Sequence, residues 1–158
     1  KDHVADDIMP KSSRAPQGNP LSEDKFLQSI NMFWFIALYI AKQILRNELW
    51  VVKARDNNMK QLLLQMVEWH EKTINGIEYD TWHAGRFLCE WVSKETQVEL
   101  QNAFGHFDRI DSWRALMATI TLYKRLANDI SNIKNFSYPY DLEKSVYDWI
   151  NQNNQCIE

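Results

Sequence analysis

The sequence predicts an all-α fold, an antiparallel helical bundle with short accessory helices. Three observations carry that expectation. Apolar residues recur at three-four spacing along extended stretches, the spacing of one helix face. The 158 residues include only four Gly and four Pro but seven Trp and 13% aromatics overall, a composition poor in turns and rich in core-forming groups. No alternating strand pattern of any length is present. A chain of this length supports one domain with a substantial core.

Residues 1–21 carry Pro10, Pro16 and Pro20 among Ser12, Ser13, Gly18 and Asn19 and lack apolar periodicity, which predicts an extended loop or linker. Such a segment suits either the end of a preceding domain or an ordinary terminus. Ser22 offers an N-cap, and Glu23 and Asp24 stand where the helix dipole favours negative charge, so a long helix is expected to start there. Its core face runs through Phe26, Ile30, Phe33, Trp34, Ala37, Leu38, Ala41, Ile44 and Leu45. The helical pattern continues from Asn47 to Lys53, and Asp56, Asn57 and Asn58 predict a break. A further helix places Met59, Leu62, Leu63, Met66 and Trp69 on one side, with Asn75-Gly76 as its stop.

Ile77 to His83 reads as loop, Gly85 to Val92 as a short helical segment, and Ser93 as the cap of another that reaches Phe104. After Gly105 a second long helix brings Trp113, Leu116, Met117, Ile120, Tyr123, Ala127 and Ile130 into register and ends near Asn135. A turn at Pro139 leads to a last amphipathic helix capped by Asp141, with Leu142, Val146, Trp149 and Ile150 on a shared face.

The formal net charge of −3 provides no broad cationic surface to gather nucleic acid, so none is expected as a partner. Cys89 and Cys156 form no CxxC pair and no disulfide framework, which favours a reducing compartment. The longest apolar run, Met32 to Ala41, is about half of the ~20 residues a membrane span needs. No signal-peptide pattern is present, and the cytoplasm is the expected location.

The first helix has a second stripe that its core face does not explain. Phe35, Tyr39, Lys42 and Arg46 follow one another at helical spacing and share a side. Interleaved aromatic and cationic groups of this kind can hold an anion such as a polyphosphate, with Lys as a point charge and Arg as a fork. A solvated face whose long side chains lie over a neighbour would look the same. Acidic candidates for a polyamine-like ligand are Glu48, Glu68, Glu78 and Asp80, the last two flanking Tyr79 beside Trp82 in the expected loop. Solvated loop carboxylates would again share that pattern.

His70-Glu71 opens like the HExxH zinc motif, but Ile74 stands where its second His belongs. His83 and His106 have no partner at a metal-ligand spacing, and capping accounts for Asp108 and Asp111 at a helix start. The sequence holds no Gly-rich phosphate loop, no GxSxG elbow and no Asp-x-Asp pair for catalytic Mg2+.

The run Phe33-Trp34-Phe35-Ile36-Ala37-Leu38-Tyr39-Ile40-Ala41-Lys42, continuing to Arg46-Asn47-Glu48, resembles the C-terminal helical domain of the aminoglycoside 6-adenylyltransferases, the streptomycin-modifying nucleotidyltransferases. The likeness extends through Glu68-Trp69-His70, where the family tends to have Glu-Trp-Tyr, and Gly85-Arg86-Phe87-Leu88, where it tends to have Gly-Lys-Tyr-Leu. Trp113-x-x-Leu116 and Tyr138-Pro139-Tyr140 resemble its later segments. Cys89-Glu90 departs from the basic residues usual there.

The resemblance implies a helical domain over 22–158 that closes a cleft, preceded at 1–21 by the end of an N-terminal nucleotidyltransferase domain whose aspartates bind Mg2+. It also implies transfer of AMP from ATP to a streptomycin hydroxyl. Lys42, with Tyr39 and Arg46, would then reach the ATP triphosphate, Glu48, Glu78 and Asp80 would meet the cationic groups of the drug, and no Mg2+ ligand would come from this chain. Two rival readings are a non-catalytic interaction module and a helical RNase of the HEPN type. The latter needs Arg and His on one helix, and no Arg here has a His one to two turns downstream.

Overall fold

A computed structural model describes residues 19–157, and among them the fold is all-α with no strand. Six helices follow in order: α1 (Glu23–Leu45), α2 (Leu49–Asn75), α3 (Leu88–Trp91), α4 (Lys94–Asn102), α5 (Arg109–Lys134) and α6 (Tyr140–Gln152), with a 3-10 turn at Asn154–Cys156. The expected linker over 1–21 lies, for residues 1–18, outside the described residues, and 19–22 precede the first helix without regular structure. α1 packs against α2, α5 and α6, α2 also packs against α5, and α4 lies on α5.

The three-four stripe of α1 forms the centre of the core. Phe26, Ile30, Phe33, Trp34, Ala37, Ala41 and Ile44 are all fully buried, and each large apolar side chain removed from water contributes about 1.5–3 kcal/mol. The Phe33 ring stacks on Tyr123 of α5 at 3.6 Å between centroids and meets Trp34 edge-on at 5.7 Å. The buried Tyr123 hydroxyl shares a 3.0 Å hydrogen bond with Ser29 Oγ, and burial pushes its phenol well above the ordinary tyrosine value.

Capping follows the sequence closely at three helices. Ser22 Oγ accepts from the Lys25 N–H at 3.3 Å, Ser93 Oγ from the Thr96 N–H at 3.2 Å, and Asp108 from the Asp111 N–H at 2.8 Å. At α6 the expected cap is displaced. Pro139 takes the N-cap position without a side-chain bond, and Asp141 falls inside the first turn, where the helix dipole still favours its charge.

Two further expectations are corrected. No break occurs at Asp56-Asn57-Asn58, because α2 runs unbroken from Leu49 to Asn75. Asp56 pairs along the helix with Lys60 at 2.6 Å, Asn57 and Asn58 point to solvent, and Val52, Met59 and Leu63 continue the buried face across the weak stretch. The fraction of a kcal/mol that each Asn costs in a helix is small beside that burial. The true interruption lies earlier, at Arg46–Glu48, where Asn47 adopts φ 59 and the chain reverses.

The second correction concerns Gly85–Val92, where only Leu88–Trp91 is helical. Trp82, Ala84, Gly85 and Phe87 all have positive φ and hold the preceding chain in irregular turns. Gly85 takes φ 74, where a side chain would be strained.

Candidate functional site

The sequence-predicted site residues separate into two groups at opposite ends of α2. That helix has 27 residues, a length of about 40 Å at the usual helical rise. Tyr39, Lys42, Arg46 and Glu48 lie at the end where α1 turns into α2. Glu78 and Asp80 lie beyond the other end, with Glu68 two turns before it. The structure therefore does not bring Glu48 together with Glu78 and Asp80.

At the α1–α2 turn, Phe35, Lys42 and Arg46 are exposed and Tyr39 is half-buried, so the stripe read from the sequence is an outward face. Two neighbours complete it. The Arg55 guanidinium of α2 sits 5.5 Å from the Tyr39 ring centre, and the Lys42 ammonium sits 5.6 Å from the Trp149 ring of α6. Among the described residues Lys42, Arg46 and Arg55 form no salt bridge; Lys42 and Arg55 each face one of these rings, and Arg46 is exposed one turn beyond Lys42. Sequence reasoning missed Arg55 and placed Trp149 on the core face of α6; no local signal connects either to the stripe, because each comes from a different helix.

The turn itself is held from a distance. Arg109, at the start of α5, donates to the carbonyls of Ile44 at 3.2 Å, Leu45 at 3.4 Å and Cys156 at 3.0 Å. It thereby gives the Leu45 carbonyl at the end of α1 a donor and adds a second to Ile44, which already accepts from the Asn47 N–H at 3.0 Å.

The opposite end carries the acidic groups. Glu78 is exposed, whereas Asp80 is half-buried and accepts from the Trp82 N–H at 2.9 Å, which fixes the local turn. Glu68 is half-buried, and burial raises its carboxyl above the ordinary value despite the opposing charges of Lys72 and His83. The loop is pinned by Tyr79 donating to the Trp91 carbonyl at 2.8 Å and by Trp91 Nε1 donating to the Arg86 carbonyl at 2.8 Å. Trp82 and Phe87 meet edge-on at 4.7 Å, so the loop has its own small aromatic cluster. A concavity of about 380 Å3 beside the α2 C-terminus, lined by Trp69, Lys72, Thr73, Ile77 and Lys134, contains none of the residues predicted from the sequence.

His70 is buried, and its Nε2 lies 3.0 Å from Asp129 Oδ2. Asp129 also neighbours Arg125, which forks onto Glu99 and donates to Thr96 at 2.9 Å. Among the described residues no three His, Cys, Asp or Glu side chains converge as a metal site. No helix among them is long and apolar enough to cross a membrane.

This arrangement of helices recurs in a crystal structure of an aminoglycoside 6-adenyltransferase from Bacillus subtilis, which superimposes with a TM-score of 0.77 over 85% of this chain and 51% of that one at 20% identity. That likeness shows the fold. The family model of the streptomycin adenylyltransferases matches residues 1–153, and the chain belongs to that family. It is 24% identical over 151 residues to an aminoglycoside 6-adenylyltransferase of Staphylococcus aureus, covering 95% of this chain and 53% of that protein. A protein of the same description from Bacillus subtilis (strain 168) is 24% identical over 119 residues, 74% of this chain and 42% of the relative. The chain thus spans about half the length of the curated relatives it matches.

Proposed function

We propose that this chain is the helical half of an aminoglycoside adenylyltransferase that transfers AMP from ATP to a hydroxyl of streptomycin. In this reading it closes the cleft over nucleotide and drug, and the catalytic aspartates belong to a nucleotidyltransferase half outside the chain. The supporting observation is the exposed face on which Lys42 meets Trp149, Arg55 meets Tyr39 and Arg46 follows one turn on, cations that form no salt bridge with a carboxylate among the described residues. Lys42 contributes a point charge to the triphosphate, Arg46 a planar fork, and Tyr39 a ring held in place by Arg55. Positive charge fixed in advance around the phosphates stabilises what develops during displacement at the α-phosphorus, without reorganisation at the moment of reaction.

A drug held on Glu78, Asp80 and Glu68 would lie roughly 40 Å from these cations, the length of α2, too far for its hydroxyl to meet the α-phosphorus, so in this reading those carboxylates take no part in the transfer. Glu48, at the nucleotide end, is the acidic candidate near enough to the transferred group, and in this reading it meets a cationic group of the drug. Among the described residues no three carboxylates converge, and in this reading Mg2+ is held by the nucleotidyltransferase half. The cytoplasm, which supplies ATP, is the compartment this reading requires.

In the enzyme with both halves present, Lys42→Ala should raise the KM for ATP several-fold, with Lys42→Arg recovering most of the loss. An unchanged KM and kcat for ATP would remove Lys42 from the nucleotide site. Adenylylation of streptomycin by the 158-residue chain alone, given ATP and Mg2+, would overturn the assignment of the catalytic aspartates to another segment.

A further inference from the structure

Midway along α2 a lysine is buried beside an apolar concavity that the adenylyltransferase reading does not use. Lys60 is only 9% exposed. Its ammonium donates to Asp56 Oδ1 at 2.6 Å and to Thr119 Oγ1 at 3.0 Å. The Thr119 hydroxyl is itself directed to the backbone carbonyls of Ala115 and Ala103, at 2.7 Å and 3.1 Å, so toward Lys60 it is an acceptor. An ammonium has three protons, and these two bonds leave one without an acceptor among the described residues. The Phe104 ring stands 5.2 Å from the nitrogen and offers only its face.

Phe104 is also a wall of the concavity, which has a volume of about 330 Å3 and is lined by Lys60, Leu64, Leu88 and Leu100, with the amides of Asn57 and Gln61 on the α2 side. That volume falls in the range of small-molecule sites, where apolar walls surround a few placed polar groups. Phe104 is 59% exposed although it covers this opening, an unusual position for a large ring with nothing packed on its outer side.

The charge around the concavity is not balanced. Lys53 lies near enough to oppose the charging of Lys60, and it spends its ammonium on the Gly105 carbonyl at 3.1 Å. Asp56 supplies one negative charge against these two positive ones, which leaves a cationic surplus at the head of an apolar groove. Burial also holds the Lys60 ammonium below the ordinary lysine value, the penalty that a further anion would relieve.

We infer that this concavity between α2, α3 and the end of α4 binds an amphipathic carboxylate, its head on Lys60 and its apolar tail along Leu64, Leu88, Leu100 and Phe104. The inference is independent of the adenylyltransferase reading. Octanoate is the probe, titrated into the 158-residue chain by calorimetry, with 1-octanol and octylammonium as neutral and cationic counterparts of the same tail. The expected result is saturable binding of one octanoate, at least tenfold tighter than either counterpart, with methyl NMR shifts confined to Leu64, Leu88, Leu100 and their neighbours. Lys60→Met, which keeps the length of the side chain, should weaken octanoate at least tenfold and leave 1-octanol unchanged. Octanoate and octanol binding equally, no saturable octanoate binding, or methyl shifts elsewhere in the chain would each overturn the inference, and all three are read on the unmutated protein.

Discussion

The two ends of α2 are built by opposite means. At the α1–α2 turn the chain reverses within Arg46–Glu48 over its own backbone hydrogen bonds, and the side-chain hold comes from outside the turn, through the three carbonyls that Arg109 gathers from α1 and from the C-terminal 3-10 turn. At the other end the segment from Gly76 to Trp91 is long and largely irregular, and it is held from within by Asp80, Tyr79 and Trp91. The first end presents cations on a rigid pair of helices; the second presents carboxylates on a loop. A helical face fixes the groups it presents, whereas a self-contained loop can present carboxylates without disturbing the bundle.

That contrast can be broken most severely at Trp91, which is 5% exposed and anchors the loop in both directions. Trp91→Ala should cost about 3–5 kcal/mol in urea unfolding. Amide hydrogen exchange should show protection lost first between residues 77 and 93, with the α1–α2 turn unchanged; equal loss at both ends would mean that the loop is not a separate unit.

Arg109→Ala tests the opposite end and should cost about 2–3 kcal/mol, because three carbonyls lose a charged donor at once. Exchange should then rise at the last turn of α1 while the 77–93 segment keeps its protection. Arg109→Lys should restore only part of the loss, since a point donor cannot reach all three oxygens.

The smallest effect is expected at Glu68, whose raised carboxyl value gives a signed pH dependence. The folded state holds this proton more tightly than the unfolded chain, so its contribution is fully present below the ordinary value near 4.5 and is lost as pH rises through the raised folded value. Glu68→Gln should therefore match the unmutated protein at low pH and become slightly more stable than it as pH increases. A stability gap independent of pH would show that Glu68 is not penalised by burial.

Much of the fold was legible because helix periodicity is local. The α1 stripe from Phe26 to Ile44, the Ser22, Ser93 and Asp108 caps, and the end of α5 at Asn135 each depend on residues a turn or two apart. The continuity of α2 was not legible, since Asp56-Asn57-Asn58 is weak by propensity and is carried by an ion pair and by burial against α1 and α5. The outward stripe of Tyr39, Lys42 and Arg46 could be read from spacing, but its completion by Arg55 and Trp149 could not. Neither could the separation of Glu48 from Glu78 and Asp80, which are similar in chemistry and lie at the two ends of one helix.

By itself the sequence determined which residues form helices, which face of each is apolar and which family the chain resembles, because these follow from spacing and short motifs along one strand of covalent chain. Only the tertiary structure decided where helix faces meet: that Arg109 closes the end of α1, that Arg55 and Trp149 join the cationic stripe, and that Lys60 is sealed beside an apolar groove. Such contacts join residues far apart in the chain. Their energy comes from burial and complementary charge between elements, which no local pattern encodes.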